Sequence, residues 1–246
     1  MIKIQDIHEA KQRLNGIIRH TPVAYAPILS KKNNADIYLK KENLQLTGSF
    51  KLRGAFNKIA KLTQSERDSG VVAASAGNHA QGLAFSAQHF KCEATIVMPE
   101  ATPLLKVNGV KSYGAEVVLH GSNYDEAYKY ANELATKDNK TFVHPFADDD
   151  VISGQGTLAL EIIEDIDNID RFNELIQQRV DTNIVNENGD TPLMFLLKDR
   201  YVNEMGYMFY PLLEISRKTI DTKNNLGDTA LILACYNCNE DYIKAI

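Results

Sequence analysis

The sequence is poor in cysteine and has no long apolar run. Its 246 residues include three cysteines, Cys92, Cys235 and Cys238, which are too few and too unevenly spaced for a disulfide framework. No apolar stretch approaches the roughly 20 residues that a membrane-spanning helix needs. The charged start MIKIQDIHEAKQRLNG lacks the apolar core of a signal peptide. We therefore expect a cytoplasmic protein in a reducing compartment, with no membrane partner.

The sequence also lacks a strong excess of charge and a set of metal ligands. The net charge is -5 and the pI is about 5.7, so nothing in the composition predicts a nucleic-acid partner. The Cys-x-x-Cys pair at 235–238 stands alone, whereas a structural zinc site needs four ligands. The histidines at 79, 120 and 144 show no ligand spacing. The sequence therefore predicts no metal site.

The first two thirds of the chain alternate short apolar runs with amphipathic stretches. The runs are rich in β-branched and small residues and lie at 35–41, 70–76, 93–99, 115–121 and 140–146. Helical patterns lie between them at 50–62, 78–90, 102–112 and 123–136. This alternation predicts an α/β fold with an open parallel sheet, which binds ligands at the carboxyl ends of its strands.

A single lysine lies in the stretch ENLQLTGSFKLRGA at 42–55. Lys51 follows a turn of small residues and precedes a predicted helix, where most lysines would be exposed to water. A lysine amine is a poor nucleophile while it is protonated. It becomes able to form a Schiff base when burial or nearby charge lowers its pKa.

Four motifs around this lysine occur in the order that a known enzyme family shows. The stretch KKENLQLTGSFKLRGAFNKI resembles the cofactor-lysine motif of fold-type-II pyridoxal-phosphate (PLP) enzymes, and AASAGNHAQGLAFSA resembles their second motif. ATIVMPEATPLLKVNGVKSYGAEVVLHG and VHPFADDDVISGQGTLALEI match further blocks. The resemblance covers residues 1–166 and is nearest to catabolic threonine dehydratases and serine racemases. It implies a PLP-dependent L-threonine/L-serine dehydratase (ammonia-lyase) that acts on a small amino acid.

The resemblance also implies roles for individual residues. Lys51 would bind PLP covalently and then act as the base at the substrate α-carbon, and Phe50 would lie beside the cofactor ring. Asn78 would donate a hydrogen bond to the 3′-oxygen of the cofactor. Ser75 would be catalytic as well. The substrate carboxylate would be bound by the backbone amides of Ser75, Gly77 and His79, together with Asn78 and the TGS turn at 47–49.

One position departs from the racemase pattern. Serine racemases of this family carry a second serine at the position of Ala76, where it exchanges a proton on the opposite face of the α-carbon. Alanine has no proton to exchange, so the sequence favours dehydration over racemisation. The motifs leave open whether threonine or serine is preferred.

The later part of the family pattern is missing from the sequence. The family has a small domain, here about residues 45–150, and a large domain with a glycine-rich loop that binds the PLP phosphate. After Gly156 the glycines are Gly189, Gly206 and Gly227, and each is isolated. The sequence therefore predicts a truncated PLP-enzyme region over 1–166 that is inactive or crippled.

The last third contains an internal repeat. Gly189-Asp-Thr-Pro-Leu and Gly227-Asp-Thr-Ala-Leu lie 38 residues apart, and both resemble ankyrin repeats. Thr191 and Thr229 are predicted to cap helices, and PLLEIS (211–216) and DRFNELIQQRVD (170–181) are predicted to supply second helices. The positions predicted to face neighbouring helices are Leu193, Leu196, Leu197, Leu231, Leu233, Ala234 and the small core residue Cys235, with Cys238 at the helix end.

Three hypotheses for the whole chain follow from these two parts. The first is the PLP-dependent ammonia-lyase. The second is a protein-binding module in which the ankyrin-like residues 167–246 bind a partner. The third is a non-functional join of two unrelated fragments, because the composition changes near 163–170 without a flexible linker.

Overall fold

The computed structural model describes residues 2–177, 184–198, 208–237 and 240–246. The chain divides into a first unit, Met1–His20 with Glu42–Leu160, and a second unit, Thr21–Lys41 with Glu161–Ile246. Within the described ranges no helix combines the length and apolar character needed to cross a membrane.

The described residues of the two units form the following strands and helices, which in the first unit alternate as in an α/β fold. The strands are β1 (Val23–Tyr25), β2 (Tyr38–Lys40), β3 (Val71–Ala74), β4 (Ala94–Met98), β5 (Glu116–Leu119) and β6 (Thr141–Phe142). The helices are α1 (Ile4–Leu14), α2 (Pro27–Asn33), α3 (Lys51–Lys61), α4 (Gln64–Ser69), α5 (Asn78–His89), α6 (Leu104–Lys111), α7 (Tyr124–Lys137), α8 (Asp149–Gln177), α9 (Pro192–Leu196), α10 (Phe209–Ile215), α11 (Ala230–Tyr236) and α12 (Glu240–Ala245).

The first unit is built on a four-stranded parallel sheet in the order β5-β4-β3-β6. This confirms the predicted parallel sheet for the runs at 70–76, 93–99, 115–121 and 140–146. The chain moves outward from β3 to β5 and then returns to β6 on the other side of β3. The crevice at the carboxyl ends of β3 and β6 is therefore a topological switch point, where open α/β sheets bind ligands.

The prediction of a buried parallel strand over 35–41 is wrong. In the second unit, β2 pairs with β1 in an antiparallel two-stranded sheet, with Ala24 opposite Leu39. Tyr38 and Leu39 are 39% and 45% exposed. A short apolar run does not by itself distinguish a buried parallel strand from a small antiparallel pair.

Both faces of the parallel sheet are covered by helices. Alternate residues of β3 point to opposite faces, as the two-residue period of a strand requires. Val71 and Ala73 belong to the core that includes residues of α3, α5 and α6. Val72 and Ala74 belong to a second core with Ala127 and other residues of α7. The unit therefore has the three-layer arrangement of an α/β domain.

Helix α3 is held at close range by its neighbours. A Cβ atom on Gly154 of α8 would lie 2.7 Å from Asn57 Cβ and 2.8 Å from Gly54 Cα. A Cβ on Gly82 of α5 would lie 3.0 Å from the backbone nitrogen of Leu52. Helices α8 and α5 thus approach the backbone of α3 closely at Gly154 and Gly82, which have no side chain. These contacts fix the position of the N-terminal part of α3.

Replacing Gly154 by alanine should destabilise the protein by about 1–3 kcal/mol, because the added methyl group meets backbone that has no room to move. Gly109→Ala in α6 is the matched control, since its nearest contact would be Gln81 Nε2 at 3.7 Å. That substitution should stabilise the protein by about 0.5–1 kcal/mol through helix propensity. Urea unfolding followed by far-UV circular dichroism measures both. Equal effects at the two glycines would contradict the close packing.

The repeated turns of the second unit adopt the same hydrogen-bonding geometry. In the first turn, Asn186 N donates to Asp190 O, and in the second Asn224 N donates to Asp228 O. The turns also contact each other, since Asn225 N donates to Asn188 O at 3.0 Å. The predicted caps are confirmed, because the Thr191 and Thr229 hydroxyls accept from Met194 N and Ile232 N.

Two predicted core positions in α11 are wrong. Leu231 is 43% exposed and Cys235 is exposed, whereas Ala230, Leu233 and Ala234 are buried. Positions 230, 233 and 234 share one face of the helix, and positions 231 and 235 share an adjacent face. The predicted inward positions Leu193, Leu196 and Leu197 of the first copy are buried.

The segments predicted to supply second helices are partly described. Helix α10 covers 209–215, in agreement with the prediction for 211–216. Helix α8 continues as far as Gln177, so residues 170–177 are helical and 178–181 lie outside the described residues. Cys238 and Gly206 also lie outside them.

Candidate active site

Lys51 begins α3 and is partly withdrawn from water. Its Nζ donates a hydrogen bond to the carbonyl oxygen of Pro145 at 2.9 Å. Burial lowers the pKa of this amine, because removal of water disfavours the charged form. The Phe50 ring centroid lies 5.2 Å from Nζ, and Phe50 itself is 37% exposed. The structure therefore places at residue 51 a lysine with an increased neutral, nucleophilic fraction.

A buried ion pair fixes the segment that leads to Lys51. The Arg53 guanidinium donates to both carboxylate oxygens of Glu42, at 2.9 Å from Nε and 2.8 Å from the second nitrogen. Arg53 is fully buried and Glu42 is 9% exposed. Our sequence reasoning missed this pair. The available signal was an arginine within an apolar stretch of helix, because a buried guanidinium requires a partner.

The turn before Lys51 contains two buried hydroxyl groups without a protein partner. Thr47 and Ser49 are 5% and 6% exposed, and neither Thr47 Oγ1 nor Ser49 Oγ has a hydrogen-bond partner among the described residues. Buried polar atoms are normally hydrogen-bonded. Two such hydroxyls within four residues of the Lys51 amine suit a bound polar or anionic group.

The predicted substrate-binding turn lies between β3 and α5. Ser75 N donates to Val97 O, and Gly77 N donates to Ser75 Oγ at 3.3 Å. Gly77 is the N-cap of α5, and Asn78, the first helical residue, is exposed. The first-turn N–H groups of a helix lack intrahelical acceptors and favour anions. The turn thus combines a hydroxyl and backbone donors at the carboxyl end of β3.

His79 is buried and bound to the protein through its side chain. It is 3% exposed, and its Nε2 donates to Val143 O at 3.1 Å. Burial is the main cause that lowers the pKa of His79 to about 4, and the positive charge of Lys51 lowers it further. The imidazole is therefore neutral at pH 7, with its proton on Nε2.

This lowered pKa predicts a loss of stability at acid pH. Between pH 6.5 and pH 4 the imidazole of residue 79 is protonated in the unfolded chain but remains neutral in the folded chain. Stability should therefore fall as the pH falls through this window, by up to about 3 kcal/mol from this residue. Urea unfolding at pH 7 and pH 4.5 should show a smaller loss for His79→Gln than for the wild type. An equal loss would contradict the assignment.

Lys51 and His79 converge on one short loop, residues 143–147, which we name the bridging loop. His79 donates to Val143 O and Lys51 donates to Pro145 O. The loop follows β6 at the topological switch point beside the end of β3. Two motifs that are separate in sequence therefore meet at the place where an α/β sheet binds its ligand.

The Lys51 side of this site fits PLP. The amine is partly dehydrated, and the unpartnered hydroxyls of Thr47 and Ser49 lie in the adjoining turn. After Gly156 the structure describes two glycines, Gly189 and Gly227. Each lies in a repeat turn of the second unit, and neither lies in a glycine-rich loop. The described residues thus include a lysine whose surroundings suit PLP, and no glycine-rich loop lies among them.

Sequence relatives cover the same part of the chain. An L-threonine ammonia-lyase of Thermotoga maritima is 52% identical over 170 residues, which is 69% of this chain and 42% of that protein. A catabolic L-threonine dehydratase of Staphylococcus aureus is 47% identical over 170 residues, or 69% of this chain and 49% of the relative. The chain therefore spans a little under half the length of these curated relatives.

Solved structures give the same result. A threonine deaminase of Solanum lycopersicum superposes with a TM-score of 0.62 at 42% identity, over 65% of this chain and 44% of that one. A maize serine racemase superposes with a TM-score of 0.65 at 32% identity, over 69% and 51% of the two chains. The family model of the pyridoxal-phosphate dependent enzymes matches residues 14–175. The chain belongs to the family of pyridoxal-phosphate dependent enzymes.

Proposed function

We propose that the chain provides the cofactor-lysine side of an L-threonine/L-serine ammonia-lyase site, in which Lys51 binds PLP. The observation that carries this proposal is the partly buried Lys51 amine at the switch point of the parallel sheet, bonded to Pro145 O. The names of the relatives, an L-threonine ammonia-lyase and an L-threonine dehydratase, support the substrate class.

Lys51 would both bind the cofactor and move a proton. Its neutral Nζ would hold PLP through the aldehyde carbon and, once the substrate amine has displaced it from that carbon, would accept the proton from the substrate α-carbon. PLP, when bound, supplies an electron sink for that carbon. Phe50 would flank the cofactor ring, and Asn78, exposed at the start of α5, would donate to its 3′-oxygen.

The small-residue turns would hold the substrate carboxylate. Ser75 Oγ and the backbone N–H of Gly77 lie at the start of α5, where the helix dipole favours an anion. The hydroxyls of Thr47 and Ser49 are further donors. Ala76 offers no proton to the opposite face of the α-carbon, which favours dehydration over racemisation.

We expect slow turnover from these 246 residues. Phosphate binding by backbone N–H groups needs converging glycines, and the glycines after Gly156 are isolated in the sequence. A cofactor held at its aldehyde end alone can shift, and a displacement of about 1 Å can lower a rate about 100-fold.

A product assay tests the proposal. Purified protein with added PLP should convert L-threonine to 2-oxobutanoate, and L-serine to pyruvate, at a rate above that of Lys51→Ala. The D-amino acid should not accumulate. A rate equal to that of Lys51→Ala for both substrates would contradict the lyase assignment. Accumulation of D-serine would contradict the role of Ala76.

A second candidate function is favoured by the repeated turns. Their shared geometry, the contact from Asn225 N to Asn188 O and the helix pairs that follow support an ankyrin-type protein-binding module within 167–246. Leu226 at the tip of the second turn is 83% exposed. A pull-down with the full chain should retain a protein that Leu226→Asp loses. Identical sets of retained proteins would contradict this candidate.

A further inference from the structure

The bridging loop is fixed at both of its ends. At its start, Val143 N donates to Val72 O at 2.8 Å, which continues the pairing of β6 with β3. Just beyond its end, the Asp148 carboxylate accepts from Asp150 N at 2.9 Å and pairs with the Lys58 ammonium of α3 at 2.9 Å. The loop therefore has little freedom to shift without breaking these contacts.

The middle of the loop is shaped by its own histidine. His144 Nδ1 accepts hydrogen bonds from Phe146 N at 3.2 Å and from Ala147 N at 2.8 Å. These bonds close a turn around Pro145, whose carbonyl oxygen accepts from the Lys51 amine. The position of this carbonyl oxygen therefore depends on the position of the whole loop.

The His79 side chain contacts the loop rather than open solvent. It is 3% exposed, and its Nε2 donates to Val143 O. The charged and titratable groups that act on it are Lys51, His144 and Asp148. A ring that is buried and bonded on the loop side is separate in function from the backbone amide of His79, which the sequence resemblance assigns to the substrate carboxylate.

We propose that His79 is a positioning residue that acts through the bridging loop to hold the Lys51 amine in its dehydrated place. The effect of His79 on catalysis rests on the proposed function of Lys51. Its effect on the position of the Lys51 amine depends only on the contacts of His79 and Lys51 with the bridging loop. Loss of the bond to Val143 O removes a side-chain restraint from the loop, so that the part between its two fixed ends shifts, moves Pro145 O away from Nζ and admits water around the amine.

The experiment measures the reactivity of Lys51 without any cofactor. The full chain is labelled with trace acetic anhydride between pH 6 and pH 11, and peptide mass spectrometry compares Lys51 with exposed Lys106. Only the neutral amine reacts, so the wild type should label at Lys51 with a lower midpoint than at Lys106. His79→Gln, whose amide can still donate to Val143 O, should keep this midpoint.

His79→Leu and His79→Asn should move the Lys51 midpoint upward, because leucine has no donor and asparagine is too short to reach. A rise of half a pH unit lowers labelling at pH 8 about threefold relative to Lys106. If the leucine variant does not fold, the Lys51 midpoint is measured in the asparagine variant instead. Folded variants with an unchanged Lys51 midpoint, or a glutamine variant that shifts as far as leucine, would overturn the proposal. Failure of PLP to bind would leave these midpoints unaffected, so the two proposals fail separately.

Discussion

Replacement of Lys51 by alanine should abolish the visible absorbance band that develops when PLP is titrated into the protein. The band arises from a covalent bond between the cofactor and a neutral amine, and burial lowers the pKa of the Lys51 amine so that more of it is neutral. Exposed lysines stay protonated near neutral pH and compete poorly. We expect the wild type to saturate near one equivalent of PLP and Lys51→Ala to show no specific band.

Lys106→Ala is the control for this titration. Lys106 lies on α6, is exposed and has no described part in the candidate site. Its removal should leave both the amplitude and the midpoint of the titration unchanged. A band that survives in Lys51→Ala, or that falls equally in both variants, would mean that PLP reacts with surface lysines at random.

Replacement of Glu42 by glutamine should cost about 3–5 kcal/mol of folding free energy, because it removes the carboxylate that accepts two hydrogen bonds from the fully buried Arg53 guanidinium. Arg53 also donates to Thr157 Oγ1 at 3.3 Å, and this contact cannot replace a charge. Urea unfolding followed by far-UV circular dichroism measures the loss. The same variant should weaken PLP binding, since the pair fixes the segment between residues 42 and 51.

Two further variants separate the ion pair from a general effect of removing a carboxylate. Glu133→Gln, at an exposed position of α7, should change stability by less than about 0.5 kcal/mol. Replacing both partners, as Glu42→Leu with Arg53→Met, should recover much of the loss, because both charges are then removed from the buried site together. A small loss in Glu42→Gln, or no recovery in the double variant, would contradict the account of this pair.

The two central strands of the parallel sheet, β3 and β4, were predictable because they are short and almost entirely apolar. Val71–Ala74 and Ala94–Met98 are buried at every position, so the pattern of their residues reflects their surroundings directly. The run at 140–146 was predicted too long. The ladder ends at Phe142, and the chain turns into the bridging loop, where His144 bonds to its own backbone. Such a local side-chain bond is not visible in an apolar pattern.

The candidate site was predictable only in part. The sequence singled out Lys51 by its position after a small-residue turn, and the switch point brings this lysine to the loop that His79 contacts. Pro145 was missed because it contributes only a backbone carbonyl oxygen, which every residue has. Glu42 was missed because sequence shows that Arg53 needs a carboxylate but not which one it meets.

The face of α11 was not predictable from one repeat alone. Leucines and small residues occur on more than one side of this helix. The inward positions were predicted by alignment with the first copy of the repeat, in which Leu193 and Leu197 are buried. Ala230, Leu233 and Ala234 are buried, but Leu231 and Cys235 are exposed. A helix covered by neighbours on one side buries only that side, whatever apolar residues lie elsewhere on it.

The most direct test of the central claim is to locate the PLP attachment. The protein is incubated with PLP, reduced with borohydride and digested, and the modified peptides are identified by mass spectrometry. Our account predicts that the pyridoxyl group is found on Lys51, in the peptide that contains TGSFK, at close to one equivalent. Label spread over exposed lysines such as Lys106 and Lys129, with Lys51 unmodified, would contradict it.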